Sequence, residues 1–128
     1  MILIKSVFDA ADASDGLRLW IGAVPLTRDL TEWCRVDRWL QEGSPPADLA
    51  QWFDEHPGGW EYFRAKHHEA LDRGDSLPAL RRLSRKAMDE NITLLHAESN
   101  PAQNAAVSLY EYLVELQAYC SDDQSGTP

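Results

Sequence analysis

Apolar positions along the chain follow two periods, and one stretch joins them. Ile92-Thr-Leu-Leu-His-Ala97 is apolar on both faces and opens with two β-branched residues. That pattern predicts an interior strand of a mostly parallel sheet covered on both sides. Asn100-Pro101 then reads as a helix N-cap with proline at the first helical position, where its missing N–H costs nothing. Ala105, Ala106, Leu109, Leu113 and Leu116 follow as one apolar stripe at helical spacing. The chain therefore leaves the carboxyl end of a strand and enters a helix through a polar turn, which is where open α/β sheets hold their ligands.

The same patterning orders the rest of the chain. Ile2 to Phe8 is rich in β-branched and aromatic residues and predicts a strand. Asp15-Gly16 marks a turn, and Leu17 to Val24, with Trp20 inside it, predicts a second strand closed by Pro25. The link between them is too short for a helical crossover, which leaves an antiparallel hairpin or two strands joined by an irregular loop. Asp29 and Glu32 fit a helix start, and Leu30, Trp33, Val36, Asp37 and Leu40 predict a helix running to Gly43. Ser44-Pro45-Pro46 starts a short helix carrying Leu49, Trp52 and Phe53, which His56-Pro57-Gly58-Gly59 breaks. Trp60, Phe63, His67, Ala70 and Leu71 mark a third helix ending near Gly74. Ser76 caps a fourth, with Leu77, Leu80, Leu83 and Ala87 inward and Arg81, Arg82, Arg85 and Lys86 outward. Residues 121–128 read as a disordered polar tail. The expectation is a single compact α/β domain over residues 1–120: a small, mostly parallel sheet of about three strands covered by helices.

Charge and cysteine usage narrow the partners. A length of 128 residues suits one domain with its own core, and the net charge of −9 argues against a nucleic-acid partner and against anionic membrane surfaces. No apolar run approaches the ~20 residues that span a bilayer, and Met1-Ile-Leu-Ile-Lys5 lacks the features of a signal peptide. Cys34 and Cys120 form no CxxC pattern and read as reduced thiols, so the expected location is cytoplasmic.

Val7-Phe8-Asp9, Asp15-Gly16, Trp39-Leu40 before a Ser-Pro break, Leu49-x-x-Trp52-Phe53, His56, Trp60-Glu61-x-Phe63-Arg64, and Leu94-Leu95 with Asn104 and Ala106 recur in one order and spacing. Over roughly Ile2 to Leu116 this resembles the YeaO-like family, small bacterial proteins grouped as domain of unknown function 488. The resemblance implies a compact α/β domain and no established activity. It also implies departures. Members of that family typically carry Asp-Arg-Leu-Trp-Pro-Arg-Gly where this chain has Gly22, Ala23, Val24, Pro25 and onward. They often have tyrosine where His96 stands, a basic residue where Ser99 stands and histidine where Gln103 stands. Asn104 is kept. The resemblance thus implies that the charged members of the family's site are largely missing here.

His96 and Glu98, two apart on a strand, would share one face and could form an imidazole–carboxylate pair for general base work. The plainer expectation is a hydrogen-bonded core histidine with Glu98 at the strand's exposed end. Asn100, Gln103 and Asn104, with Arg28 the one cation expected nearby, could present amides and helix N–H groups to a neutral or singly charged ligand; the plainer expectation is helix capping. His56 and His67-His68 lack the spacing of a helical metal chelate, so no metal is expected, and no cofactor either. Trp33, Trp39, Trp52 and Trp60 are core fillers by default, with Trp33 and Trp52 the candidates for a protein-partner surface. The Arg81–Lys86 cluster reads as a solvated helix face. Two functions follow, with enzymatic activity left open: a small-molecule-binding domain using the turn after Ala97, or a non-catalytic interaction domain using the tryptophan-bearing helices.

Overall fold

The computed structural model describes the backbone of residues 1–125 and the side chains of residues 1–119. Its elements run β1 (Ile2–Ser6), β2 (Leu17–Trp20), α1 (Arg28–Trp33), β3 (Arg38–Trp39), α2 (Ala47–Glu55), α3 (Trp60–Arg73), α4 (Leu77–Asp89), β4 (Ile92–His96) and α5 (Ala105–Ser125). The four strands lie in the order β1-β4-β2-β3, and every pairing is parallel. The small parallel sheet is as expected, with one more strand, the two-residue β3. The run that is apolar on both faces is the interior strand: β4 pairs Leu94 with Ile4 on one side and Leu19 on the other, and all five of its residues are buried.

β1 and β2 are not a hairpin. The segment between them holds a short 3-10 turn, Ala13–Asp15, and carries the chain across a gap that β4 fills. Gly16 closes that segment at φ 63°, where a Cβ would lie 1.8 Å from the Asn91 carbonyl oxygen, so only glycine fits.

The sheet's two faces are unequally covered. On one, Ile2, Ile4, Leu17, Leu19, Ile92 and Leu94 meet α2 to α5 in the main core, which includes Phe53, Phe63, Leu80, Leu83, Leu109 and Leu113. On the other, Val7, Trp20 and Leu95 meet Cys34 and Val36 in a small cluster beneath α1. No helix among the described residues is long and apolar enough to cross a membrane.

Three expectations are corrected. The helix expected from Asp29 to Gly43 stops at Trp33, with Thr27 rather than Asp29 as its N-cap: Thr27 Oγ1 accepts the Leu30 N–H at 3.2 Å. Strand pairing wins over helical spacing there. The Asp37 carboxylate accepts the Arg18 N–H at 2.8 Å, the Asp37 N–H donates to the Arg18 carbonyl, and Arg38–Trp39 pairs with Leu19–Trp20. Arg35, at φ 53°, makes the reversal. The second strand ends at Trp20 instead of Val24, because the Trp20 indole N–H bonds back to the Val24 carbonyl and curls the segment over the ring. Last, α5 begins at Ala105 and not at Pro101. Of the polar tail expected at 121–128, α5 carries the backbone to Ser125, and 126–128 lie outside the described residues.

Candidate functional site

The parallel sheet brings the carboxyl ends of β1 and β4 to one edge, and the turn after β4 is built there from its own side chains. Asn100 Oδ1 accepts the N–H groups of Ala102 at 2.9 Å and Gln103 at 3.2 Å, which makes a local Asx turn. Asn104 is the true N-cap of α5. Its Oδ1 accepts the Val107 N–H at 3.0 Å and its Nδ2 donates to the Asn100 carbonyl at 2.9 Å. It is fully buried, so both halves of its amide are spent inside the protein. The Glu98 carboxylate accepts the Ala105 N–H at 3.1 Å and puts a negative charge at the helix's positive end. Burial pushes the Glu98 pKa up, with Asp54 adding to the push and the Ala105 N–H opposing it.

His96 and Glu98 do not form an imidazole–carboxylate pair. β4 ends at His96, the chain bends, and it is the Glu98 backbone N–H that donates to His96 Nδ1, at 3.2 Å. That contact places the ring proton on Nε2. Burial holds His96 below its ordinary pKa against the pull of Asp9. Glu98 separates two cavities. One of about 340 Å³ is lined by Phe53, Asp54, Pro57 and Ala97 with Glu98, Asn100 and Gln103. The other, of about 430 Å³, is lined by Lys5, Ser6, Asp9 and His96 among others. Arg28 is not brought to this turn; it lies exposed on α1, paired with Glu32 at 3.3 Å.

His56, His67 and His68 each direct a ring nitrogen to the protein's own polar groups. His67 is fully buried, donating from Nε2 to the Gly43 carbonyl at 3.0 Å and accepting at Nδ1 from Ser108 Oγ at 2.7 Å. His68 Nε2 donates to the Ser108 carbonyl, and His56 Nδ1 donates to the Trp52 carbonyl while its ring stacks on Trp52. No group of three metal-ligating side chains occurs among the described residues. Cys34 is a buried free thiol under α1; the Cys120 side chain lies outside the described residues.

Burial lowers the His67 pKa from its ordinary 6.5 to about 4. The unfolded chain therefore binds this proton before the folded one does. Stability should fall by about 3 kcal/mol between pH 6.5 and pH 4 on that account. Denaturant midpoints measured across that window should show the slope, and His67→Gln should flatten it.

Sequence reasoning missed a second polar assembly, on the α1 side of the sheet. Arg18 is buried in β2 and pairs with buried Asp15 at 2.6 Å; Lys5 reaches the same carboxylate from β1 at 3.1 Å. Arg18 also donates to the Cys34 carbonyl at 2.9 Å and the Arg35 carbonyl at 3.2 Å, which pins the end of α1. Two cations inside otherwise apolar strands were the available signal. Beside that pinned end, Trp33 is 87% exposed and Phe8 68% exposed. They line a groove of about 340 Å³ with Val7, Asp9, Cys34 and Arg35. Trp52 is half-buried and in contact with its own neighbours, stacked on His56 and tilted against Tyr62. Trp60 fills the core, as expected.

Comparison with known proteins supports the family reading. A family model described as the inactive DUF488-N3 subclade matches residues 1–128. The uncharacterized protein YeaO of Escherichia coli (strain K12) is 30% identical over 120 residues, which cover 90% of this chain and 98% of that protein. No solved structure matches.

Proposed function

The chain belongs to the DUF488 family, in its inactive DUF488-N3 subclade, and from that premise we propose a non-catalytic binding domain whose working surface is the groove between Phe8 and Trp33. The observation that carries this reading is the 87% exposure of Trp33, beside a second exposed aromatic, on a face whose helix is only six residues long. A large aromatic left in water forgoes a sizeable hydrophobic gain, and tryptophan is the residue most enriched where partners anchor. The groove holds its shape without a partner, because Arg18 fixes the Cys34 and Arg35 carbonyls and Arg35 takes a positive φ that an arginine adopts only under constraint. The partner is a protein segment that seats an apolar side chain between the two rings.

The emptied chemistry of the strand-to-helix turn supports the absence of catalysis. The Asn104 amide and the N–H groups of Ala102, Gln103, Ala105 and Val107 are bonded within the turn, and its histidine and carboxylate do not pair with each other. A photo-crosslinking residue placed at position 33 in the native host should trap a defined protein adduct that the same residue at Tyr62 does not. Equal adducts at both positions, or none at 33, overturn the reading. Trp33→Ala should abolish the adduct formed from a crosslinker at Phe8. It should also leave the free energy of unfolding within about 0.5 kcal/mol of the parent, as surface changes do.

The cavities on either side of Glu98 favour a second reading, a neutral or singly charged small ligand held near Glu98 and Gln103. Glu98 already supplies the negative charge at the α5 N-terminus, which disfavours a highly charged anion there. A metabolite screen by thermal shift tests it. A hit whose shift survives both Glu98→Gln and Gln103→Ala removes the turn from consideration.

A further inference from the structure

On the opposite side of the sheet from Trp33, α4 carries three exposed arginines that no carboxylate among the described residues pairs. The chain has 12 Lys and Arg against 21 Asp and Glu, so its surface cations have carboxylates to choose from. Most of them take one within ion-pair distance. Arg81, Arg82 and Arg85 are all exposed, and none has a carboxylate partner among the described residues. Leu80, Leu83 and Ala87 on the other face of α4 are buried in the core, so the helix cannot turn its arginines elsewhere. Residues three and four apart on a helix are neighbours at about 5–6 Å, and like charges at that spacing repel. The first turn of α4 has no acidic residue to offset them.

We propose that this arginine face of α4 docks a carboxylate-rich helical segment of a protein partner. Guanidinium groups take carboxylates by paired N–H bonds, in a planar fork that lysine cannot reproduce. Carboxylates three and four residues apart on a partner helix repeat at the spacing of Arg82, Arg81 and Arg85. A nucleic acid fits less well. Its affinity comes from many phosphate contacts spread along the backbone, whereas these arginines cover about one helical turn of a chain with net charge −9. The surface lies on the α4 side of the sheet and does not depend on the groove at Trp33.

The probe is a fluorescein-labelled alanine–glutamate helix with glutamates three and four apart, read by anisotropy at low and at physiological salt. A single-stranded oligonucleotide of equal charge runs in parallel. The peptide should bind in a salt-sensitive manner. The triple variant Arg81→Glu, Arg82→Glu, Arg85→Glu should weaken it by at least about tenfold. The triple lysine variant, which keeps the charge and the fold, should still weaken it several-fold. Trp33→Ala should leave it unchanged. Absent peptide binding, or binding that survives both triple variants, overturns the proposal. So does tighter binding of the oligonucleotide that the glutamate variant abolishes, which would make α4 a nucleic-acid surface.

Discussion

Leu94→Ala should lower the free energy of unfolding by about 2–5 kcal/mol, towards the upper part of that range. Leu94 is completely buried in β4, flanked in register by Ile4 of β1 and Leu19 of β2, and its side chain enters the main core beneath α4 and α5. Truncation removes apolar atoms at a place where three strands and two helices are already fixed, so the cavity has little room to collapse. The check is a denaturant titration of both proteins with slopes compared as well as midpoints. A midpoint that hardly moves would mean that β4 is not the strand around which this sheet is assembled.

β4 was also the most legible element, for a physical reason. A strand covered on both faces has to be apolar at every position, and that leaves an unbroken run in the sequence. Proline and glycine mark both ends of α2 and α3 and the approach to α4, and the buried residues of all three recur at helical spacing. Helical spacing overextends α1 because Val36 and Leu40 are buried as helical periodicity would have them, yet by a reversal at Arg35 and a two-residue strand. Pairing to β2 decides that segment, and a partner strand distant in sequence leaves no mark on local spacing. Spacing puts the start of α5 too early for a related reason. Asn100-Pro101 has the chemistry of a cap, but Asn100 spends it on an Asx turn and Asn104 caps the helix. Spacing places these residues at the turn, but which of them caps α5 depends on where backbone N–H groups point, and the sequence pattern does not record that. The sequence offers Trp33 and Trp52 alike as partner anchors. His56, four residues on from Trp52, is at the spacing that lets the two rings stack, but Trp52 meeting Tyr62 of the next helix and Trp33 standing in water are settled by the fold.

Asp15→Ala should destabilise the protein by about 3–5 kcal/mol, because it leaves the Arg18 guanidinium buried without its counter-charge. Burial by itself would raise the Asp15 pKa. The Asp12 N–H, Lys5 and Arg18 outweigh it and hold the carboxyl below its ordinary range. The stabilisation is therefore present above about pH 4, the unfolded value, and is lost as the pH falls through the folded one. The acid limb of the stability curve should be shallower in the variant. Arg18→Met should cost less, since Asp15 keeps Lys5 on both oxygens at 3.1–3.2 Å. The double variant should be more stable than Asp15→Ala alone, because no buried charge is left unpaired. The same cluster links stability to the groove. Arg18 in the absence of Asp15 is no longer oriented towards the Cys34 and Arg35 carbonyls, so the end of α1 that carries Trp33 loses its anchor. Trp33 fluorescence anisotropy, with the other tryptophans replaced by phenylalanine, should fall in Asp15→Ala under conditions where the variant is still folded. A double variant less stable than Asp15→Ala, or a Trp33 signal indifferent to the substitution, would separate the ion pair from the groove and leave Arg18 as a packing residue alone.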